Sequence, residues 1–430
     1  MVQPSLSVEL RRERVTLVSL VSFVAVAAIG CCLYVYLGHV IKLHPIRADS
    51  FGYYAYLPSI FFQHNLSFEA ARQFCHCGSL LTSAYGIGVN STTEHMLDKY
   101  PVGSAILQTP AFIFAWTIAR NTTGQVSAYS TLFQSIITAN GIIFLCIGTA
   151  FTYLCARRFV DKFTALLATI LIVFATNVFN YGSYDNSLSQ IYSFAAIAVF
   201  LYCCLRLHDN PDTASGRFVF VTGVLLGIIF CIRNPDIIVG LIAVALLVRK
   251  GSKRVRRNLS ILGAGTLVGA LPQLAYVTWA TGSPLTNPYG GANGGLHEGF
   301  THLFDPRIGD FLFGVDRGIF LLAPITLIAC LGFWPLIRSD RRFGLAMLGV
   351  LALDVYLCSS WWEWWFGWSF MSRPMVDMMA LLVIPLSLVI VSIRARFSEH
   401  AEAALAGIMW VSAVSIVSTT ILMAYYWRFL

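Results

Sequence analysis

Residues 15–38 read VTLVSLVSFVAVAAIGCCLYVYLG, and the chain then continues as Arg47-Ala48-Asp49-Ser50-Phe51-Gly52-Tyr53-Tyr54. The first run carries no charged side chain. It exceeds the roughly 20 apolar residues that a helix needs to cross a bilayer. No small-residue cleavage site follows it, so it reads as a permanent span and not as a removed signal peptide. Similar runs recur to the end of the chain, which is 57% hydrophobic and 12% charged, about half the charged fraction of soluble domains. The runs are continuous, whereas a β-barrel would alternate. The sequence therefore predicts an all-α polytopic membrane protein forming a single domain over residues 1–430.

Spans are predicted at 15–38, 128–156, 164–181, 188–206, 217–232, 235–249, 258–280, 318–337, 343–359, 374–393 and 402–426, about eleven in all on that ~20-residue criterion. With the N-terminus cytoplasmic, the inner segments hold most of the 29 lysines and arginines, as the positive-inside rule requires. The net charge of +8 is thereby assigned to topology and anionic lipid, not to nucleic acid. This orientation requires the apolar segment Pro101 to Ala119 to be re-entrant or interfacial, because counting it as a span would turn Arg157, Arg158 and Lys162 outward. Outer loops then cover about 39–127, 281–317 and 360–373.

Most cysteines lie within apolar runs and read as small hydrophobes. Cys75-His76-Cys77 lacks a second ligand cluster and fits no zinc spacing. Gly290-Gly291-Ala292-Asn293-Gly294-Gly295 lacks the Lys-Ser/Thr of a phosphate loop and reads as a flexible segment.

Charged residues near the membrane are costly and mark candidate sites. Four groups fall on the outer face. Asp49 precedes an aromatic interfacial helix over Gly52 to Phe62 that carries Tyr53 and Tyr54; it is either a helix cap or a catalytic carboxylate. Arg233, in Arg233-Asn234-Pro235-Asp236, either pairs with Asp236 or serves a site. Arg317, in Asp316-Arg317-Gly318, lies at headgroup level, where it either binds a phosphate or snorkels. The fourth group is Trp361-Trp362-Glu363-Trp364-Trp365-Phe366-Gly367-Trp368, followed by Arg373-Pro374; five tryptophans in this stretch exceed what an aromatic belt needs. Aromatic faces stack on sugar rings, which makes Trp362, Trp365 and Trp368 candidate sugar contacts beside Glu363. Asp185, Lys99, His64, His297 and Glu298 are lesser candidates.

In this order and on one face, Asp49 after the first span, Lys99-Tyr100-Pro101-Val102-Gly103, Asp316-Arg317-Gly318-Ile319-Phe320 and the tryptophan run through Arg373-Pro374 resemble the GT-C glycosyltransferases, which include protein O-mannosyltransferases and aminoarabinose-lipid A transferases. The resemblance implies a GT-C-like bundle and transfer of a monosaccharide from a polyprenyl-phosphate donor to an extracytoplasmic glycan, lipid or protein, at a bacterial inner membrane. It implies Asp49 as the base of an inverting single displacement, Arg317, Arg373 and Arg233 on the donor phosphate, and Trp362, Glu363, Trp365, Trp368, Tyr53, Tyr54, Asp185 and Lys99 around the sugar and acceptor. Several such families carry two adjacent acids in the first loop. Here Asp49 is followed by Ser50, which favours a mechanism without a divalent metal or other cofactor. The rival reading is a lipid-linked sugar flippase or another transporter, but the charges gather on one face and no repeat symmetry is visible.

Overall fold

The computed structural model describes residues 6–38, 40, 44–75, 86–122, 124, 126–209, 214–248, 254–290 and 298–428. His76, Cys77, residues 291–295 of the glycine-rich run and His297 lie outside the described residues. Among the described residues helix covers most of each expected apolar segment. Seven are long and apolar enough to cross a membrane: Glu13–Leu37, Thr131–Arg157, Ser189–Asp209, Val255–Thr281, Arg341–Ser359, Met375–Arg396 and Ser398–Trp427. The other four are shorter: Lys162–Phe174, Gly216–Ile232, Asn234–Leu247 and Pro324–Ser339.

Local chemistry explains the short ones. The segment expected at 318–337 is broken into Ile319–Leu322, Pro324–Leu331 and Phe333–Ser339. Pro324 cannot continue a helix from its predecessor, and Ala323 leaves the helical region at φ −128°, ψ 72°. At residue 233 the backbone is extended, and the chain restarts as a 3-10 turn over Asn234–Val239 with Pro235 in its first turn. The expected span at 164–181 ends at Phe174, and a separate short helix, Val178–Ser183, follows.

Ser189–Asp209 and Met375–Arg396 are the most buried long helices and form the centre, against which Thr131–Arg157 packs. Ser398–Trp427 lies at the periphery. The apolar segment after Pro101 is a helix, Gly103–Thr122, and is not among the seven long apolar ones. Gln108 on this helix and Asn140 on Thr131–Arg157 both donate to the buried Tyr192 hydroxyl, at 3.2 and 3.3 Å. Such polar contacts stabilise helix pairs where apolar contacts alone give no preference over lipid.

Gly216–Ile232 and Val255–Thr281 pack backbone to backbone, through Gly223 and Gly227 on one side and Gly265 and Gly269 on the other. A Cβ at Gly227 would collide with the Thr266 carbonyl, and one at Gly265 with the Phe220 carbonyl. Both helices carry the small-xxx-small spacing that lets backbones touch.

One feature departs from the all-α expectation. Ile87–Val89 and Met96–Asp98 form an antiparallel hairpin, with Ile87 opposite Asp98. Its turn is built by Asn90, whose side-chain oxygen accepts from the Thr92 and Thr93 amides at 3.0 Å. The run is too short and too polar to show alternation. The hairpin delivers Asp98-Lys99-Tyr100 to the start of the Gly103–Thr122 helix.

Replacing Gly227 with leucine is expected to destabilise the protein by about 1–3 kcal/mol or more, the usual cost of overpacking a filled interior. Thermal unfolding in detergent checks this. Gly263 faces open space, and its substitution by alanine should leave the melting temperature unchanged.

Candidate active site

A helix follows the first span, as expected, over Asp49–Gln63, and Asp49 begins it. The cap position belongs to Ala48, which makes no side-chain cap bond. The Asp49 carboxylate instead points away from its own backbone. Arg373 Nη2 lies 2.7 Å from Asp49 Oδ2. The Tyr100 hydroxyl donates to Asp49 Oδ1 at 2.8 Å. The cap reading of Asp49 is therefore replaced by an ion pair joining the first loop to the start of Met375–Arg396.

This pair borders a cavity of about 330 Å3. Several parts of the chain supply its walls, Gln190 of the Ser189–Asp209 helix and Leu357 and Cys358 of the Arg341–Ser359 helix among them. The first loop contributes Ala48, Asp49, Tyr53, Lys99, Tyr100 and Pro101; the turn between two short apolar helices contributes Arg233, Asn234 and Pro235. Tyr289, Glu298 and Phe300 come from the second loop; Trp361, Trp362, Glu363, Phe366, Gly367, Trp368 and Arg373 come from the tryptophan run. The last two are packed together: Trp361 meets the edges of Tyr289 and Phe300 with ring centroids 5.2 and 5.1 Å apart. The Trp362 amide donates to the Gly299 carbonyl at 2.8 Å.

Three cations reach this space, each with an acidic partner. Arg373 pairs with Asp49. Arg233 Nη1 lies 3.1 Å from Asp377 Oδ2, so its side chain pairs outside the turn; the Asp236 carboxylate instead accepts from Ser193. Lys99 Nζ lies 2.8 Å from Glu298 Oε2 and also approaches the faces of Tyr100 and Tyr289, at 5.5 and 5.4 Å. Glu363 faces the same cavity; its carbonyl accepts from the Phe366 amide at 2.7 Å, while its carboxylate makes no ion pair among the described residues.

Burial raises the Asp49 carboxyl, but Arg373, the Tyr100 hydroxyl and Lys99 outweigh it and hold the group below the ordinary carboxylate range. Burial pushes the Glu363 carboxyl up, more than Arg373 and Lys99 can draw it down, with Asp49 and Glu298 adding to the rise. Two carboxylates with opposed shifts thus share one cavity.

Other anticipated residues fall elsewhere. Arg317 is not among the cavity-lining residues; its guanidinium donates to the Trp365 carbonyl at 2.8 Å and braces the tryptophan run. Trp365 also lies outside the lining and packs edge-on against Trp364. Tyr54 is fully buried behind the site and donates to the Ala128 carbonyl. Asp185 is buried and pairs with Arg47. His64 ends the Asp49–Gln63 helix in a left-handed conformation, as its C-cap. Among the described residues no group of three or more His, Cys, Asp or Glu is arranged to hold a metal ion. Sequence reasoning assigned no role to Tyr100, Arg47 or Tyr289, although Tyr100 and Arg47 sit beside residues it singled out.

The folded-state pKa of Asp49 lies below its unfolded value of about 3.9. The stabilisation from its pairing is therefore fully present above that unfolded value and is lost as pH falls through the lower folded one. Asp49→Asn, which leaves Arg373 buried without its counter-ion, should fold but melt lower than wild type at pH 7. The gap should shrink below about pH 4. Unfolding curves in detergent from pH 7 to pH 3 test this, and a pH-independent gap contradicts it.

Comparison with known proteins places this geometry in context. Residues 131–279, about a third of the chain, match the family model described as dolichyl-phosphate-mannose-protein mannosyltransferase. That stretch contains Arg233 but neither Asp49 nor the tryptophan run. No curated protein matches the sequence. Among solved structures, the Archaeoglobus fulgidus oligosaccharyltransferase in its apo form superposes with a TM-score of 0.57 at 12% identity, over 96% of this chain and 56% of that one. The A. fulgidus oligosaccharyltransferase AglB in complex with an inhibitory peptide and a dolichol-phosphate gives 0.57 at 11% identity, over 97% and 56%. Its complex with Zn and sulfate gives 0.54 at 14%, over 94% and 53%. The chain spans little more than half the length of these structures. Over nearly its whole length the chain has the fold of these oligosaccharyltransferase structures, the family model matches its central third, and seven of its helices are long and apolar enough to cross a membrane.

Proposed function

We propose that the chain is a glycosyltransferase that moves a monosaccharide from a polyprenyl-phosphate donor to an acceptor hydroxyl, on the extracytoplasmic face of a bacterial inner membrane. The observation that carries this reading is the Asp49–Arg373 pair on the wall of an aromatic cavity. It sets a carboxylate able to take a proton beside a guanidinium able to receive a leaving phosphate. The joint origin of the cavity walls from loops assigned to one side by charge counting supports the outward placement. The dolichol-phosphate in the archaeal complex supports a lipid-linked donor by analogy of fold.

A lipid tail needs an apolar path beside the phosphate site. A groove of about 820 Å3 runs between Gly216–Ile232, Asn234–Leu247 and Val255–Thr281, lined by Phe230, Ile237, Leu241, Val244 and Leu267 among others. It flanks the same turn that carries Arg233 into the cavity. A tail lying there brings its phosphate to Arg233 and Arg373.

Asp49 is paired with Arg373. A donor phosphate competes for that guanidinium, and the exchange leaves Asp49 Oδ2 open to an acceptor hydroxyl. The acceptor oxygen then attacks the anomeric carbon from the side opposite the phosphate. Its proton passes to Asp49, the bond from the anomeric carbon to the phosphate oxygen breaks, and the electron pair leaves with the phosphate. Arg373 and Arg233 face the developing charge. These guanidinium groups supply the positive charge that a divalent metal would otherwise bring, so we assign no metal to the step. Trp362, Glu363, Trp368 and Tyr53 line the space for the sugar and acceptor, with Lys99 held among them by Glu298. Arg317 and Trp365 act at one remove, by holding the tryptophan run in place.

Purified protein in detergent, given defined polyprenyl-phosphate sugars and a hydroxyl acceptor, should transfer without a sealed membrane, which a transporter could not do. Asp49→Asn should lower turnover by about 10²–10⁴-fold, the usual contribution of a general base. Arg373→Ala should lower donor-dependent kcat/KM by about 10²–10³-fold, and Arg317→Ala far less. Near-normal turnover in Asp49→Asn would remove Asp49 from the chemistry.

A further inference from the structure

Residues 47, 48 and 49 form an unusual trio. Arg47 and Asp49 each make an ion pair with a distant partner, Asp185 and Arg373 respectively. Between them Ala48 has φ 45° and ψ −130°, a backbone conformation that suits glycine and strains a residue with a Cβ. Strain of this kind persists only where the surroundings over-determine it. Here they do. The Arg47 guanidinium also donates to the His44 carbonyl at 3.0 Å and lies 4.5 Å from the Tyr184 ring centre. The Ser187 hydroxyl donates to the Pro45 carbonyl at 2.7 Å, and the Ile46 amide donates to Gln134 at 3.0 Å. Asn180 donates to the second oxygen of Asp185 at 3.4 Å. Residues 44–47 are thus fastened to the segment around residues 180–187 before the chain reaches Asp49.

We propose that Asp185 is a positioning residue: through Arg47 and the strained Ala48 link it aims the Asp49 carboxylate at Arg373 and the cavity. Asp185 does not line the cavity and does not contact substrate in this account. It sets where the base stands. The Arg47–Asp185 clamp stays in place when a donor phosphate takes Arg373, so Asp49 keeps its aim as its own partner leaves. This role rests on the reading of the cavity as a glycosyl-transfer site.

Two readouts separate the positioning role from that reading. The first is kinetic. Asp185→Asn removes the charge of the clamp; transfer kcat should fall by about a hundredfold, the cost of a misplacement near 1 Å, while donor KM stays within about twofold of wild type. Asp185→Glu, which keeps the charge, should recover most of the loss. Ala48→Gly relaxes the link without touching either ion pair, and should lower kcat while the melting temperature holds or rises. The second readout needs no activity: carbodiimide labelling of Asp49, followed by mass spectrometry, should be faster in Asp185→Asn and Ala48→Gly than in wild type. Should Asp185→Asn fail to fold, Ala48→Gly decides. Wild-type kcat and wild-type labelling in the folded variants would overturn the proposal. Altered labelling with no transfer even by wild type would uphold the positioning role and reject the glycosyl-transfer reading.

Discussion

The Asp49 carboxylate meets the Arg373 guanidinium at 2.7 Å on the wall of a cavity built from distant parts of the chain. An arginine this buried cannot shed its charge and needs a partner. Asp49 satisfies it, and in doing so ties the first loop to the start of the Met375–Arg396 helix at the bundle centre. The pair is both a fastening and a chemical asset. The contacts that keep the carboxylate ionised also keep it occupied, and a competing phosphate is the natural means of releasing it.

The scaffold makes that pairing possible. The glycine-mediated contact between Gly216–Ile232 and Val255–Thr281 fixes the turn that carries Arg233 to the cavity. The broken backbone at residue 233 keeps the guanidinium at the cavity rather than among the apolar side chains of either helix. The hairpin over residues 87–98 brings Tyr100 and Lys99 in from a third direction. Cations at Arg373, Arg233 and Lys99 are each paired with an acid from a different segment, and Glu363 adds a further carboxyl group to the cavity. On the proposed reading, a donor phosphate displaces protein carboxylates from these cations.

Much of this was legible in the sequence because membrane solvation is a strong constraint. Long uncharged runs predicted helices at all eleven positions, and charge asymmetry gathered Asp49, Arg233, Lys99 and the tryptophan run on one side, where the structure brings them around one cavity. What the sequence did not reveal depends on contacts between distant segments. Asp49 looked like a possible helix cap because its partner lies beyond most of the spans. Arg233 was read against its neighbour Asp236, whereas its partner Asp377 belongs to another helix. Arg317 and Arg373 were indistinguishable as interfacial arginines; only folding turns one into the cavity and the other onto a backbone carbonyl. The hairpin was missed because three-residue strands carry no periodicity. The spacing of Gly223 with Gly227 and of Gly265 with Gly269 does not stand out among the other small residues in apolar runs.

The most direct test of the central claim is the structure of the protein bound to a polyprenyl phosphate. The account predicts the phosphate oxygens within hydrogen-bond distance of Arg373, the isoprenoid tail in the groove beside Phe230 and Ile237, and Asp49 separated from its guanidinium partner. A phosphate bound elsewhere, with the Asp49–Arg373 contact still at 2.7 Å, would contradict it.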